Sequence, residues 1–415
     1  MTAVNPARMI AELQELRSLT SDMNGAQRVA FTPVWAKARE FLRGKLAGLP
    51  VEIHEDAAGN TWFTLRGRSE KALLIGGHMD SVPNGGWLDG CLNVFAGVEI
   101  LRRLHAQYGE ELPVTVRLVD WADEEGARFG KSLFGSSACS GSLDMDEART
   151  LRDAAGMALP EALAAYGIEF ERVKESSVEL RNAAAYLELH IEQGPVLLDL
   201  HLPLGAVVGT FGVERHAVTF YGQAAHSGST PMNRRRDAFL AAAKMSPKIY
   251  AIAGHHDGVC TIGSCTTQPG IVTSVVETCR ITLDQRHLNG EALTAMLAEA
   301  QAASERFGAE GNVTVTWERL WQIAPMPFHP ALIELCDLAI AETAGSTHRM
   351  PSGPLHDAAE VARTGLPTVM MFVQSLHGIS HNKIEDTNEE HLAQAVVAFD
   401  KLADKTISWI REYSK

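Results

Sequence analysis

Five short stretches of the chain carry side chains able to bind a metal ion or move a proton. They are His78-Met79-Asp80, Trp87-Leu88-Asp89-Gly90, Asp123-Glu124-Glu125-Gly126, His190-Ile191-Glu192-Gln193-Gly194 and Gly378-Ile379-Ser380-His381. Histidine and carboxylate without thiolate suit Zn²⁺, Mn²⁺ or Co²⁺ used for hydrolysis rather than a structural zinc. Taken singly, each stretch is weak. A histidine at a strand end is more often structural than a ligand, and adjacent acids such as Glu124 and Glu125 more often form a solvated turn. Their shared placement changes the weighing, because four of the five fall where a buried strand is expected to end or just beyond. Burying carboxylates together costs on the order of several kcal/mol each unless a cation compensates. A pair of divalent cations is the simplest compensation. In His78-x-Asp80, Asp80 can hold the imidazole of His78 from behind. Glu124 and Glu125, on extended chain, would point to opposite sides. One could then ligate while the other faces substrate as a base.

The elements that must position these residues follow from hydrophobic spacing. Three- and four-residue apolar spacing predicts helices over 7–18, 33–48, 95–105 and 388–412. Apolar runs at 72–75, 114–121, 186–190 and 367–373 read as buried strands that end in charged or polar residues. Residues 51–54 and 61–65 read as a pair of strands around a Gly59-Asn60 turn. Helices alternating with buried strands make the class α/β, and such sheets place ligands outside the carboxyl ends of their strands. The segment from about 210 to 320 differs. Alternating runs at 213–221, 278–286 and 313–317, with helices at 235–252 and 291–306, predict a small α+β module with one covered face. Because the 367–373 strand follows it, the module is an insertion. The expected organisation is a main domain of 1–209 and 322–415, split by a module of 210–321.

Composition narrows the partners. The 415 residues are 46% hydrophobic and 21% charged, with 37 basic and 51 acidic side chains and a net charge of −14. So acidic a chain is a poor candidate for nucleic acid or anionic membrane, both of which need clustered Lys and Arg. No apolar run reaches the roughly 18 residues of a membrane-spanning helix. The start, MTAVNPARMIAELQEL, places Arg8 and Glu12 where a signal peptide would need an apolar block. A cytoplasmic protein is expected. Its six cysteines form no CxxC pair and would stay reduced there. Gly126 to Ser132 has three residues between its glycines where a phosphate-binding loop needs four. Arg234-Arg235-Arg236 is an isolated basic run, better read as a solvated or salt-bridged helix start.

The stretches GGHMDSVPNGGWLDG, DEEGARFGKSLFGS, HIEQGP, GQAAHSGSTPMNRRRDA, MPSGPLHDA and GISH, in this order along the chain, resemble the M20-type di-metal amidohydrolases. The likeness is strongest to the hydantoinase/carbamoylase branch, with its N-carbamoyl-L-amino acid hydrolases, β-ureidopropionases and allantoate amidohydrolases. The resemblance covers roughly residues 10–410. It implies a metallo-aminopeptidase-like catalytic domain with a mixed sheet, interrupted by a lid and dimerisation domain. By position it implies that His78 and His190 bind one metal, Glu125 and His381 the other, that Asp89 bridges them, and that Glu124 is the general base. Zn²⁺ is the expected metal, with Mn²⁺, Co²⁺ or Ni²⁺ as alternatives. It further implies that His226 donates to the oxyanion from its own or a partner subunit. Gln193, Arg286 and His356 would contact a small-molecule substrate, Arg286 through the substrate carboxylate, and the chain would be a homodimer through the lid.

Two positions depart from the family pattern. Residues 269–274 read PGIVTS, where many members carry an Asn-Ala-x-Asn-like run, and Leu355 stands where relatives usually have glycine. The expected reaction is hydrolysis of the amide or ureido bond of an N-carbamoyl or N-acyl L-amino acid. Allantoate or ureidoglycolate hydrolysis and dipeptide hydrolysis are the alternatives on the same scaffold. A non-catalytic binding relative is a distant third, since a degenerate scaffold would be expected to have lost at least one of these residues.

Overall fold

The computed structural model describes residues 3–413, which form two compact units. The first comprises residues up to Gly209 and from Phe328 onward. Its centre is a mixed sheet ordered Leu204–Thr210, Thr368–Val373, Ala183–Ile191, Ala72–His78, Thr115–Trp121, Thr61–Leu65, Glu52–Glu55. The strands Thr368–Val373, Ala183–Ile191, Ala72–His78 and Thr115–Trp121 are mutually parallel. The flanking strands run antiparallel. The parallel strands are apolar and almost wholly buried, as strands covered on both faces must be. Helices Cys91–Tyr108 and Glu389–Tyr413 pack against them.

The register decides where the site forms. His78 pairs with Trp121, and His190 with Phe372. The carboxyl ends of the parallel strands therefore finish side by side, and the loops that follow them meet at one edge of the sheet.

Several elements differ from the sequence expectation. The 51–54 strand lies at Glu52–Glu55 and is exposed at every residue, so it had no buried face to mark its limits. Leu204–Thr210 and the helix Pro330–Ala344 escaped notice. The helix's buried residues Leu332, Ile333, Cys336, Ala339 and Ile340 follow helical spacing, but Leu335 and the exposed Leu338 lie off that stripe and blur it.

The second unit, Thr210–Pro327, has its own core, including Val218, Phe220, Met245, Ile249, Ile281, Leu283 and Met296. Its antiparallel sheet runs Val259–Gln268, Thr278–His287, Gly212–Tyr221, Thr314–Ile323. Four long strands replace the three expected. Val259–Gln268 (VCTIGSCTTQ) is an edge strand, mostly exposed and rich in Ser, Thr and Gly, and so carries no apolar alternation. The expected 235–252 helix is two helices, Ala238–Ala243 and Met245–His256. Asp237 starts the first by accepting the amides of Phe239 and Leu240.

One buried ion pair ties the first unit's sheet to a helix. Arg39, on helix Pro33–Lys45, donates from Nε to Asp120 Oδ2 at 2.7 Å, and both side chains are almost inaccessible. The other oxygen of Asp120 accepts the amide of Met79 at 2.8 Å, which fixes the chain just after His78. Removing one partner leaves a buried charge alone, so Arg39→Ala is expected to cost about 3–5 kcal/mol. The check is a lowered urea midpoint at unchanged slope.

Candidate metal centre

Asp89 is buried, and its two oxygens look in different directions. Oδ1 lies 3.1 Å from His190 Nε2 and 3.7 Å from His78 Nε2. Oδ2 lies 3.4 Å from His381 Nε2, which is itself 3.3 Å from Glu125 Oε2. Ligand-type atoms of His78, Asp89 and His190 thus lie within 4.8 Å of one another, and so do those of Asp89, Glu125 and His381. The two groups share Asp89.

The loops reach this arrangement by sharp local turns. Gly90, at φ +65°, separates Asp89 from helix Cys91–Tyr108. A Cβ there would sit 2.4 Å from the His78 ring, so only glycine fits. Glu124 and Glu125 do not lie on extended chain. Asp123 adopts φ +56° just after strand Thr115–Trp121, and the pair follows in a bend. Their side chains still part, because the kink turns Glu124 Oε2 to 3.7 Å from His78 Nε2 and Glu125 Oε2 toward His381. Asp80 is wholly buried, and its carboxylate accepts the amides of Glu124 at 3.3 Å and Glu125 at 3.2 Å. It stands 3.6 Å from His78 Nδ1, which is nearer the Asp80 backbone carbonyl at 3.2 Å. Asp80 therefore holds the turn that carries the two glutamates as well as backing His78.

The donor set fits divalent cations, and ring geometry supplies the test. His190 Nδ1 donates to the carbonyl of Ile191 at 2.8 Å, so in the neutral ring Nε2 bears a lone pair. That lone pair confronts an oxygen of Asp89 at 3.1 Å. The contact is favourable once Nε2 carries a proton or a cation stands between them, and the carboxylate of Asp89 draws positive charge to His190. His78 Nε2 is buried without a hydrogen-bond partner while facing Asp89 and Glu124. A backbone carbonyl fixing one ring nitrogen so that the other can ligate is the usual arrangement of metal-binding histidines.

Charge in the cluster points the same way. Burial would lift Asp89, but hydrogen bonding to His190 and His381 holds it well below the usual range. Burial lifts Glu124 well above it, with His78 opposing and Asp357 and Glu125 adding to the rise. Burial and Asp89 push Glu125 up to about 7. His381, hydrogen-bonded to Asp89 and near Glu125, is pushed up to about 9. Acids raised by burial and by one another, beside histidines raised by those acids, are the pattern of a buried cluster with an excess of negative charge.

The remaining expected residues lie as follows. Gln193 Nε2 donates to Asp89 Oδ2 at 2.9 Å and Ser380 Oγ at 3.1 Å, while its Oε1 is buried without a partner. His356 is buried, its ring centred 4.4 Å from that of His190, with Nε2 3.0 Å from Ser352 Oγ. Burial and the charge of His190 hold it well below the usual histidine range. In the second unit, His226 lies in a two-residue strand paired with Ser274–Val275. Its Nδ1 accepts the amides of Gly228 at 3.1 Å and Ser229 at 3.2 Å, so the ring proton sits on Nε2. Arg286, on strand Thr278–His287, donates to Asp284 at 2.8 Å.

Glu188 and Glu385 are among the buried acids that the sequence reading did not single out. Glu188 accepts the Tyr186 hydroxyl at 2.7 Å and the Ala358 amide at 3.0 Å. Alternation could have found it, since Tyr186, Glu188 and His190 share one face of a buried strand. Glu385, buried near Asp89, carries no spacing signal at all.

The chain is similar to proteins of known description along nearly its whole length. An N-carbamoyl-L-amino acid amidohydrolase of Geobacillus stearothermophilus is 34% identical, covering 93% of this chain and 95% of that protein. An allantoate amidohydrolase of Escherichia coli is 31% identical over 90% of each. The crystal structure of an amidase of the hydantoinase/carbamoylase family from Burkholderia phymatum superposes with a TM-score of 0.88 at 30% identity, covering 99% of this chain and 100% of that one. The sequence model of peptidase family M20/M25/M40 matches residues 74–405, and the chain belongs to that family.

Proposed function

We propose that this chain hydrolyses the C–N bond of an amide or ureido group on an N-carbamoyl or related N-acyl L-amino acid, with water as nucleophile. The observation that carries this reading is the two-sided use of Asp89, one oxygen toward His78 and His190 and the other toward His381 beside Glu125. His78 and His190 would hold one divalent cation, Glu125 and His381 a second, and Asp89 would bridge them. Zn²⁺ suits these donors best, with Mn²⁺, Co²⁺ and Ni²⁺ as alternatives. Bound there, the cations supply Lewis-acid polarisation of the scissile carbonyl and lower the pKa of the attacking water.

The chain's own groups do the rest. Glu124 takes the proton that the water gives up and returns it to the departing nitrogen. A ureido substrate then yields ammonia, carbon dioxide and the free amino acid, whereas an acyl substrate yields a carboxylic acid. His226, with its proton on Nε2, is built to donate to the oxyanion of the tetrahedral intermediate. Gln193 offers its unpartnered Oε1 to a substrate N–H, and His356 borders the same residues. The planar fork of Arg286 suits the substrate carboxylate. In this reading residues 1–209 and 322–415 are the catalytic domain. Residues 210–321 are a lid through which two copies pair, and the enzyme works in the cytoplasm.

A second reading has a specific basis. The PGIVTS stretch at 269–274 lies beside His226, since Ser274 pairs with His226 and Thr273 accepts the Ser227 amide. It brings no side-chain amide to that place, which favours a ligand other than a simple carbamoyl group. Allantoate, ureidoglycolate or a dipeptide would use the same machinery. A panel of N-carbamoyl, N-formyl and N-acetyl amino acids, dipeptides and allantoate, assayed with added divalent metal, separates these readings.

Glu124→Gln should lower kcat by about 10²–10⁴-fold, the usual worth of a positioned proton acceptor. Metal analysis of that variant should still find two ions per chain, and wild-type turnover in it would remove Glu124 from the role. A strong chelator should abolish activity and added Zn²⁺, Mn²⁺ or Co²⁺ restore it; turnover that survives chelation would end the metal reading. Arg286→Ala should raise KM about 10–100-fold for carboxylate substrates, matching the ~1.5–3 kcal/mol of a charge-assisted hydrogen bond. An amidated analogue should show no such change.

A further inference from the structure

We propose that Glu385 is a positioning residue that locks the Asp89 loop to the His381 loop and so sets the aim of both Asp89 oxygens. The inference rests on the two-cation reading above and adds to it a residue that contacts neither cation.

Glu385 is 1% exposed. Its Oε1 accepts the backbone amides of Leu88 and Asp89, each at 3.1 Å. Its Oε2 accepts the Ser380 hydroxyl at 2.7 Å. One carboxylate therefore grips the residue next to His381 and the main chain of Asp89 itself. Ser380 Oγ also lies 3.2 Å from Asp89 Oδ2. A hydroxyl has one proton, and the shorter contact directs it to Glu385. Gln193 Nε2 closes the ring, donating both to Ser380 Oγ and to Asp89 Oδ2. Asp89 is thus held at its amide by Glu385 and at Oδ2 by Gln193, leaving Oδ1 to the two histidines.

The chain makes room for this carboxylate. A Cβ at Gly86 would fall 2.0 Å from Glu385 Oε1, so any side chain at 86 would evict it. A buried carboxylate placed against a loop that already carries Asp89 is electrostatically unfavourable unless donors compensate it. Three donors on two elements, with a glycine cleared for them, supply that compensation. An amide in its place would turn one acceptor into a donor and face a backbone N–H or a hydroxyl with the wrong group.

The test strips the full chain of metal and titrates it with zinc against a chromophoric chelator. Wild type should bind two equivalents. Glu385→Gln should bind them about 10–100-fold more weakly, the usual loss when a residue that orients metal ligands is changed. Turnover at saturating zinc should largely recover, with KM little altered. Ser380→Ala removes the hydroxyl that Glu385 and Gln193 share but leaves the grip of Glu385 on the Leu88 and Asp89 amides; it should give a smaller weakening in the same direction, which keeps the idea testable if Glu385→Gln folds poorly. Wild-type zinc affinity in both variants would overturn the positioning role while leaving the metal reading intact. Failure of the wild-type chain to bind two equivalents would instead overturn the metal reading, and this proposal with it.

Discussion

The confrontation of Asp89 with imidazole nitrogens that are held to aim at it is the constraint on which the rest depends. At His190 the Nε2 atom and a carboxylate oxygen stand 3.1 Å apart, each group fixed from behind by hydrogen bonds. Such an arrangement is repulsive without positive charge between the groups. Around it the fold gathers Asp80, Glu124, Glu188 and Asp357, all buried. The desolvation cost of so many acids exceeds what a few ordinary hydrogen bonds return. Burial raises Glu124, Glu188 and Asp357 accordingly, and in the proposed reading bound cations offset the remaining negative charge.

Rigidity comes from backbone anchoring more than from ligand-to-ligand contact. Asp120 grips the Met79 amide, Asp80 the amides of Glu124 and Glu125, and Glu385 the amides of Leu88 and Asp89. Three of the segments that carry a ligand-type residue, those of His78, Asp89 and Glu124-Glu125, are thus caught by a buried carboxylate from another part of the chain. These acids stand behind the ligand-type residues and control where those point. Loops alone are mobile. Loops held at two amides are not, and ligand atoms must keep their places to within a fraction of an ångström to bind a metal well.

Much of this was legible in the sequence because the signals were local. A short apolar run ending in His78, or in Asp123-Glu124-Glu125, announces a buried strand and the chemistry at its end in one glance. The order of the stretches then implied how they combine. What could not be read depends on contacts between distant segments. Glu385 lies almost 300 positions from the amides it accepts, and nothing near it in sequence marks it out. The kink at Asp123 was hidden because an acidic residue in a left-handed conformation looks like any other acidic residue. Val259–Gln268 was missed because an exposed edge strand needs no apolar face. Helix Pro330–Ala344 was missed for a different reason, since apolar residues off its buried stripe, such as the exposed Leu338, blur the pattern.

The two units contribute different kinds of specificity in the proposed reaction. The first carries groups that any hydrolysis of an amide by activated water requires, and their geometry says little about which amide is cleaved. Selection must therefore fall to groups that read the two ends of the substrate. In the proposed reading those groups include His226 and Arg286 on the second unit, which are held by soft contacts. His226 sits in a two-residue strand whose partner strand adjoins the unusual PGIVTS stretch, with Val272 almost fully exposed. Arg286 is already paired with Asp284, so a substrate carboxylate must compete with that partner. A partly exposed pair of this kind is worth little to stability, which makes the exchange inexpensive and leaves the guanidinium in place to receive an anion. In the proposed reading, change at 269–274, beside His226, would alter the preferred acyl group without touching His78 or His190 at the ends of buried strands.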